Sequence, residues 1–169
     1  MRKNGKDSGR RRRRPPIRLA TRWLDVPTAP DLQTLYSWWS ACKGGESLGI
    51  TPEFVIQAIK PFQSQVIVTD VIGDRQDYFS RTAGSLWTQM LGRNVTNGFL
   101  SQYVDMEVQQ KCRGLFHRVI ETRAPLVIDT PPPARQRTAK RSTQMIFLPL
   151  TAPSGEITHF ITALPRQRS

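Results

Sequence analysis

The sequence predicts an α+β fold: one antiparallel sheet with helices on one face, preceded by N-terminal helices and a disordered basic tail. Three observations carry this prediction. Helical apolar spacing begins after residue 30, and β-branched stretches take over from residue 65. Two strands, a helical interval and three more strands then follow in that order. Strand and helix do not alternate, which argues against a doubly wound nucleotide-binding fold. The 169 residues suit one domain with a tail, and 38% apolar residues suffice for a modest core.

Residues 1–30 read as tail. Gly, Ser, Arg and Pro dominate as far as Pro16, and such a stretch buries too little apolar surface to offset its ordering entropy. Trp23 and Leu24 are the exceptions, suited to dock on the domain. Residues 31–43 read as a helix with Asp31 as N-cap, Leu32, Leu35, Tyr36, Trp39 and Cys42 on one face, and Gly44-Gly45 as the stop. Trp38 falls off that stripe. Residues 51–62 read as a second short helix.

Residues 65–72 and 77–82 form a hairpin about a Gly73-Asp74 turn. Ser85 caps a short helix, 86–91, that Gly92 ends. A longer helix, 105–123, carries Val108, Cys112, Leu115, Phe116, Val119 and Ile120 as its buried stripe and stops before Pro125. Strands follow at 126–129, 142–150 and 156–164, the last two joined at Ser154-Gly155. The domain therefore spans 31–165, and 166–169 are a C-terminal tail.

The net charge of +12 is local. Residues 1–22 carry ten Lys and Arg against Asp7, and Arg135, Arg137, Lys140 and Arg141 add four more, so the remainder is at −1. Arg10, Arg11, Arg12, Arg13 and Arg14 repel one another and call for a polyanion, an anionic membrane surface or water. No apolar run is long enough for a transmembrane helix, and no apolar stretch follows the charged N-terminus as a secretory signal would require. The expected compartment is cytoplasmic. Cys42 and Cys112 alone support neither a disulfide scaffold nor a zinc site.

Certain residues carry a resemblance. They are Leu35, Tyr36, Trp38 and Trp39 ahead of Gly44-Gly45, then Asp70, Gly73 and Asp74 at the hairpin. The most diagnostic stretch is Arg81-Thr82-Ala83-Gly84-Ser85 followed by Leu91-Gly92-Arg93-Asn94-Val95-Thr96. Over about residues 31–165 the chain resembles a family of short, single-domain PAS-like proteins common in alphaproteobacteria. That family often has Asp at the position of Asn94 and Gly at that of Asn97. The resemblance implies a five-stranded antiparallel sheet and a sensory or regulatory role through protein contact, not catalysis. It also implies a possible small apolar ligand between sheet and helices.

The residues agree with that reading. His117 lies nearer the polar side of its helix, away from the apolar stripe, so it does not suit haem ligation; His159 reads as a sheet histidine. No cysteine lies near Gly92 for flavin photochemistry, and Cys112 reads as inert packing. Asp70, Asp74 and Asp77 match no calcium loop. Neither a phosphate loop nor a nucleophile elbow is present. No catalytic residue, metal or cofactor is therefore expected. The pocket-lining residues are taken as Tyr78, Leu86, Met90, Phe99, Phe116 and Ile146. Trp38 and Trp39 are taken as contacts for a protein partner or a homodimer. The alternative function is nucleic-acid binding through Arg10–Arg14 and the loop 135–141, although no aromatics interleave those charges.

Overall fold

The computed structural model describes residues 22–43, 57–130 and 143–166. The strands are β1 (Arg22–Leu24), β2 (Val66–Ile72), β3 (Asp77–Ala83), β4 (Gly98–Phe99), β5 (Leu126–Thr130), β6 (Thr143–Thr151) and β7 (Ile157–Ala163). The helices are α1 (Pro30–Lys43), α2 (Ser85–Leu91), α3 (Leu100–Tyr103) and α4 (Met106–Thr122), with a 3-10 turn at Lys60–Phe62. One sheet runs in the order β1-β5-β6-β7-β2-β3-β4, and every neighbouring pair is antiparallel.

The five expected strands form the middle of this sheet; two short strands extend its edges. Arg22–Leu24 pairs with β5, so the tail joins the fold earlier than residue 31. Gly98–Phe99 pairs with β3. Composition could not reveal either, because strands of two or three residues carry no period.

Helices cover both faces, not one. On the inner face Ile67, Tyr78, Ile128, Met145, Phe147 and Phe160 meet α2, α3 and α4. On the outer face Val66, Val68, Val127, Ile146, Leu148 and Ile161 meet Leu32, Leu35 and Trp39 of α1, together with Ile59. The reason is visible in β6, where residues 145–150 are all buried with no polar alternation. A strand that is apolar at every position needs cover on both sides.

Local detail refines the boundaries. Pro30 opens α1, so Asp31 lies inside its first turn. Its carboxylate accepts from the Leu32 and Arg166 backbone N–H groups and from Gln65 Nε2, which ties the helix to the sheet and to the chain's exit. The hairpin turn spans four residues, 73–76, and closes by Gln76 N–H to Ile72 O at 3.1 Å. Gly84, not Ser85, is the N-cap of α2, and Gly92 closes it at φ 72°. Gly44-Gly45, residues 51–56 of the expected second helix, the prolines 131–133 and the basic clusters at 10–14 and 135–141 lie outside the described residues.

A bulge in β3 sets the side-chain directions. Val68 faces Thr82 and Thr69 faces Ser80, which leaves Arg81 as the extra residue. Without it, the residues before and after could not keep both Ser80 and Ala83 on the inner face. Gly84 then passes against the turn before β2: a Cβ there would lie 2.3 Å from Gln63 O and 2.4 Å from Ser64 O. That approach lets Leu86 N–H reach Ser64 O at 2.9 Å and Trp87 Nε1–H reach Gln65 O at 2.7 Å.

Candidate functional site

A cavity of about 60 Å³ lies between the inner face of the sheet and the helices. Ile67 and Thr69 of β2, Met145 and Phe147 of β6 and Thr162 of β7 supply the sheet side. Trp87, Met90 and Leu91 of α2, Leu100 and Tyr103 of α3, and Val104, Val108, Cys112 and Phe116 in and before α4 supply the rest. The walls are mostly apolar. The volume is small beside the roughly 300–1,000 Å³ of drug-sized sites, so the space suits a molecule of few heavy atoms.

Three groups give the cavity its chemistry. Thr162 Oγ1 is buried and has no hydrogen-bond partner among the described residues. Such a group costs free energy unless something pairs with it. The Tyr103 hydroxyl is held 2.8 Å from Ser80 Oγ, and burial pushes its pKa up to about 12. Burial likewise pushes the Cys112 thiol up to about 12, which keeps it protonated and unreactive at neutral pH. Among the described residues, the lining offers hydroxyls, a protonated thiol and apolar surface.

Of the six residues taken from the sequence as pocket-lining, Met90 and Phe116 line this cavity. Tyr78 is fully buried on the same face but packs its ring 4.3 Å from that of Phe116. Leu86 packs against the inner cluster without lining the space. Phe99 lies at the β3–β4 edge, stacked edge-on against Phe79 at 5.1 Å. Ile146 points the other way, into the outer cluster under α1; its neighbours Met145 and Phe147 take the inner positions. Between Met145 and Leu150 every residue of β6 is apolar, so the sequence carries no parity signal that separates Ile146 from its neighbours. Thr162 was overlooked, although its spacing of two from Phe160 places it on the inner face.

Trp39 is not available for contact: it is buried between α1 and the outer face of the sheet, and its Nε1–H donates to Pro149 O at 2.7 Å. Trp38 is half-buried and packs against the same outer cluster. The exposed side of α1 is instead small and polar, with Gln33, Thr34, Ser37, Ser40 and Ala41. His117 is exposed.

A polar cluster sits on the outer face. Arg81 Nε–H donates to both Asp70 carboxylate oxygens at 2.7 Å, and His159 Nε2 lies 3.3 Å from Oδ1. Thr158 Oγ1 lies 2.7 Å from His159 Nδ1. With Nε2–H donating to Asp70, Nδ1 is left to accept from the Thr158 hydroxyl. Asp77, by contrast, accepts from Ser101, which fastens α3 to the hairpin. Among the described residues no group of three or more His, Cys, Asp and Glu side chains is placed to hold a metal ion. Nor is any helix there long and apolar enough to cross a membrane.

No curated protein matches the chain. A family model described as a PAS domain matches residues 28–164. That span begins just before α1 and ends just after β7, so it takes in both helical covers and the sheet's five long strands. An antiparallel sheet with helices packed against its inner face, a cavity beneath them and a family match over most of the chain lead to one assignment: this protein belongs to the PAS domain family.

Proposed function

We propose that this PAS protein is a non-enzymatic sensor that takes a small, mostly apolar molecule into the cavity under α2–α4 and passes its occupancy to a partner protein. Membership of the family supports a sensory or regulatory module. The observation that carries the ligand reading is the buried, unpartnered Thr162 hydroxyl in an otherwise apolar space. An apolar molecule with one hydrogen-bonding group would satisfy it while keeping the walls dry. The absence of a thiolate or charged base in the cavity favours binding over turnover.

The test uses ethanol and xenon as paired probes small enough for this volume, followed by chemical-shift changes at the methyl groups of Met90, Val108 and Met145. Both should perturb these signals. Thr162→Val should weaken ethanol binding while leaving xenon binding intact. No methyl shift with either probe at saturating concentration would rule the ligand reading out.

A further inference from the structure

Two buried donors on the inner side have no hydrogen-bond partner among the described residues and do not line the cavity. They are the Tyr78 hydroxyl of β3 and the Nε–H of Arg113 on α4. Tyr78 is 0% exposed, and burial keeps its hydroxyl protonated at neutral pH, so it can donate. Arg113 Nε–H can only donate. Each group costs free energy while it is unpaired, and the charged one costs more.

Packing brings the two side chains to the same place. The Tyr78 ring lies 4.3 Å from that of Phe116, which stands one turn beyond Arg113 on α4. Side chains on a helix lean toward its N-terminus, so Phe116 lies over the turn that carries Arg113. Arg113 is accordingly the charge that acts most strongly on the Tyr78 hydroxyl. Arg75 of the hairpin turn comes next, and Asp77 opposes both more weakly. The hydroxyl oxygen could accept from Arg113 Nε–H, but neither atom has a partner, so the two stand too far apart to bond directly. A third, accepting atom is what would satisfy both.

The acids of this region are engaged elsewhere. Asp77 accepts from Tyr78 N–H and from the N–H and hydroxyl of Ser101. Glu107 pairs with Lys111 at 2.6 Å, and Asp105 caps α4 through Val108 N–H. Among the described residues no carboxylate pairs with Arg113. Arg113 and Arg75 against Asp77 leave one positive charge facing two unpaired donors.

We propose that Tyr78 and Arg113 hold a small monovalent anion of the halide class, which accepts from both donors and balances the excess charge. A water molecule could bridge the same donors, but it would leave that charge uncompensated. The site is separate from the ligand cavity: Phe116 lines the cavity and touches Tyr78, whereas neither Tyr78 nor Arg113 lines it. It therefore stands or falls independently of ligand sensing.

Chloride titrated into the full-length protein at constant ionic strength, with fluoride as the replaced salt, provides the test. Fluoride is the halide that loses most on shedding its water to reach buried donors. The readout is the quadrupolar broadening of the chloride NMR line. Wild type should show a saturable excess broadening that bromide competes away. Tyr78→Phe keeps the ring, deletes one donor and should weaken chloride about ten-fold or more. Arg113→Met keeps the stem, removes the charge and should abolish the saturable component. Both variants retain the basic tail, so any broadening it causes is common to all three proteins. Circular dichroism checks that each is folded. Chloride should also raise the melting temperature of wild type relative to Tyr78→Phe. The proposal is overturned if wild type shows no saturable broadening, the result expected of a bridging water. It is equally overturned if either folded variant binds chloride like wild type.

Discussion

At the scale of single residues, Asn97 and Asn94 are each accounted for by the backbone around them. Asn97 has φ 57°, in the left-handed region that favours glycine and that Asn tolerates better than most side chains. Asn94 Oδ1 accepts from Thr96 N–H at 2.9 Å, a bond that an aspartate would make equally well. Tyr78 is a different case. Its ring is packed against Phe116 and Phe160, but its buried hydroxyl has no hydrogen-bond partner among the described residues, and burial pushes its pKa up to about 12. Tyr78→Phe keeps the ring and deletes the orphan group. It should raise stability by about 1 kcal/mol, seen as a melting temperature higher by about 2–4 °C. A drop of similar size would reveal a partner for that hydroxyl.

At the scale of elements, the join between β3 and α2 is the most tightly specified. Gly84 carries the approach to residues 63–64, and the Leu86 and Trp87 bonds depend on it. The atoms that a Cβ would meet are backbone, not the end of a flexible side chain. Gly84→Ala must therefore push α2 away from the β2 entry and loosen the wall that carries Met90 and Leu91. A loss of about 1–3 kcal/mol or more in urea unfolding is expected. An unchanged midpoint would mean that α2 can shift freely. The Asp70–Arg81 pair is an element-scale feature too, since it ties β2 to β3 on the outer face.

At the scale of the whole molecule, the sheet divides two cores. The outer one is sealed by α1, and the inner one contains the cavity. Tyr78, Tyr103 and Cys112 all belong to the inner side, and each is raised by burial to about 12, from 10.0 for the tyrosines and 9.0 for the thiol. Below pH 9 all three stay neutral in folded and unfolded chains alike, and their contribution is fully present. Between pH 9 and 12 the unfolded chain releases protons that the folded one retains, so stability must fall with rising pH. Urea midpoints followed by circular dichroism should decline across that window, and less so in Tyr103→Phe. A flat profile would contradict burial of these groups.

The sequence alone specifies the family, the five long strands and the amphipathic stripes of α1 and α4. Each rests on a local period or a short motif, and such patterns survive without knowledge of neighbours. It also located the charge in two segments and identified Met90 and Phe116 as cavity residues. Which face each residue of β6 serves is settled by tertiary packing. Where every position is apolar, parity has no sequence signal, and Ile146 and Phe147 separate only once α1 and α4 take opposite sides. It likewise decided that Trp39 is buried, because a tryptophan on a helix face looks the same whether it meets a partner or its own sheet. The three-residue β1 exists through pairing with β5, a contact between residues far apart in the chain.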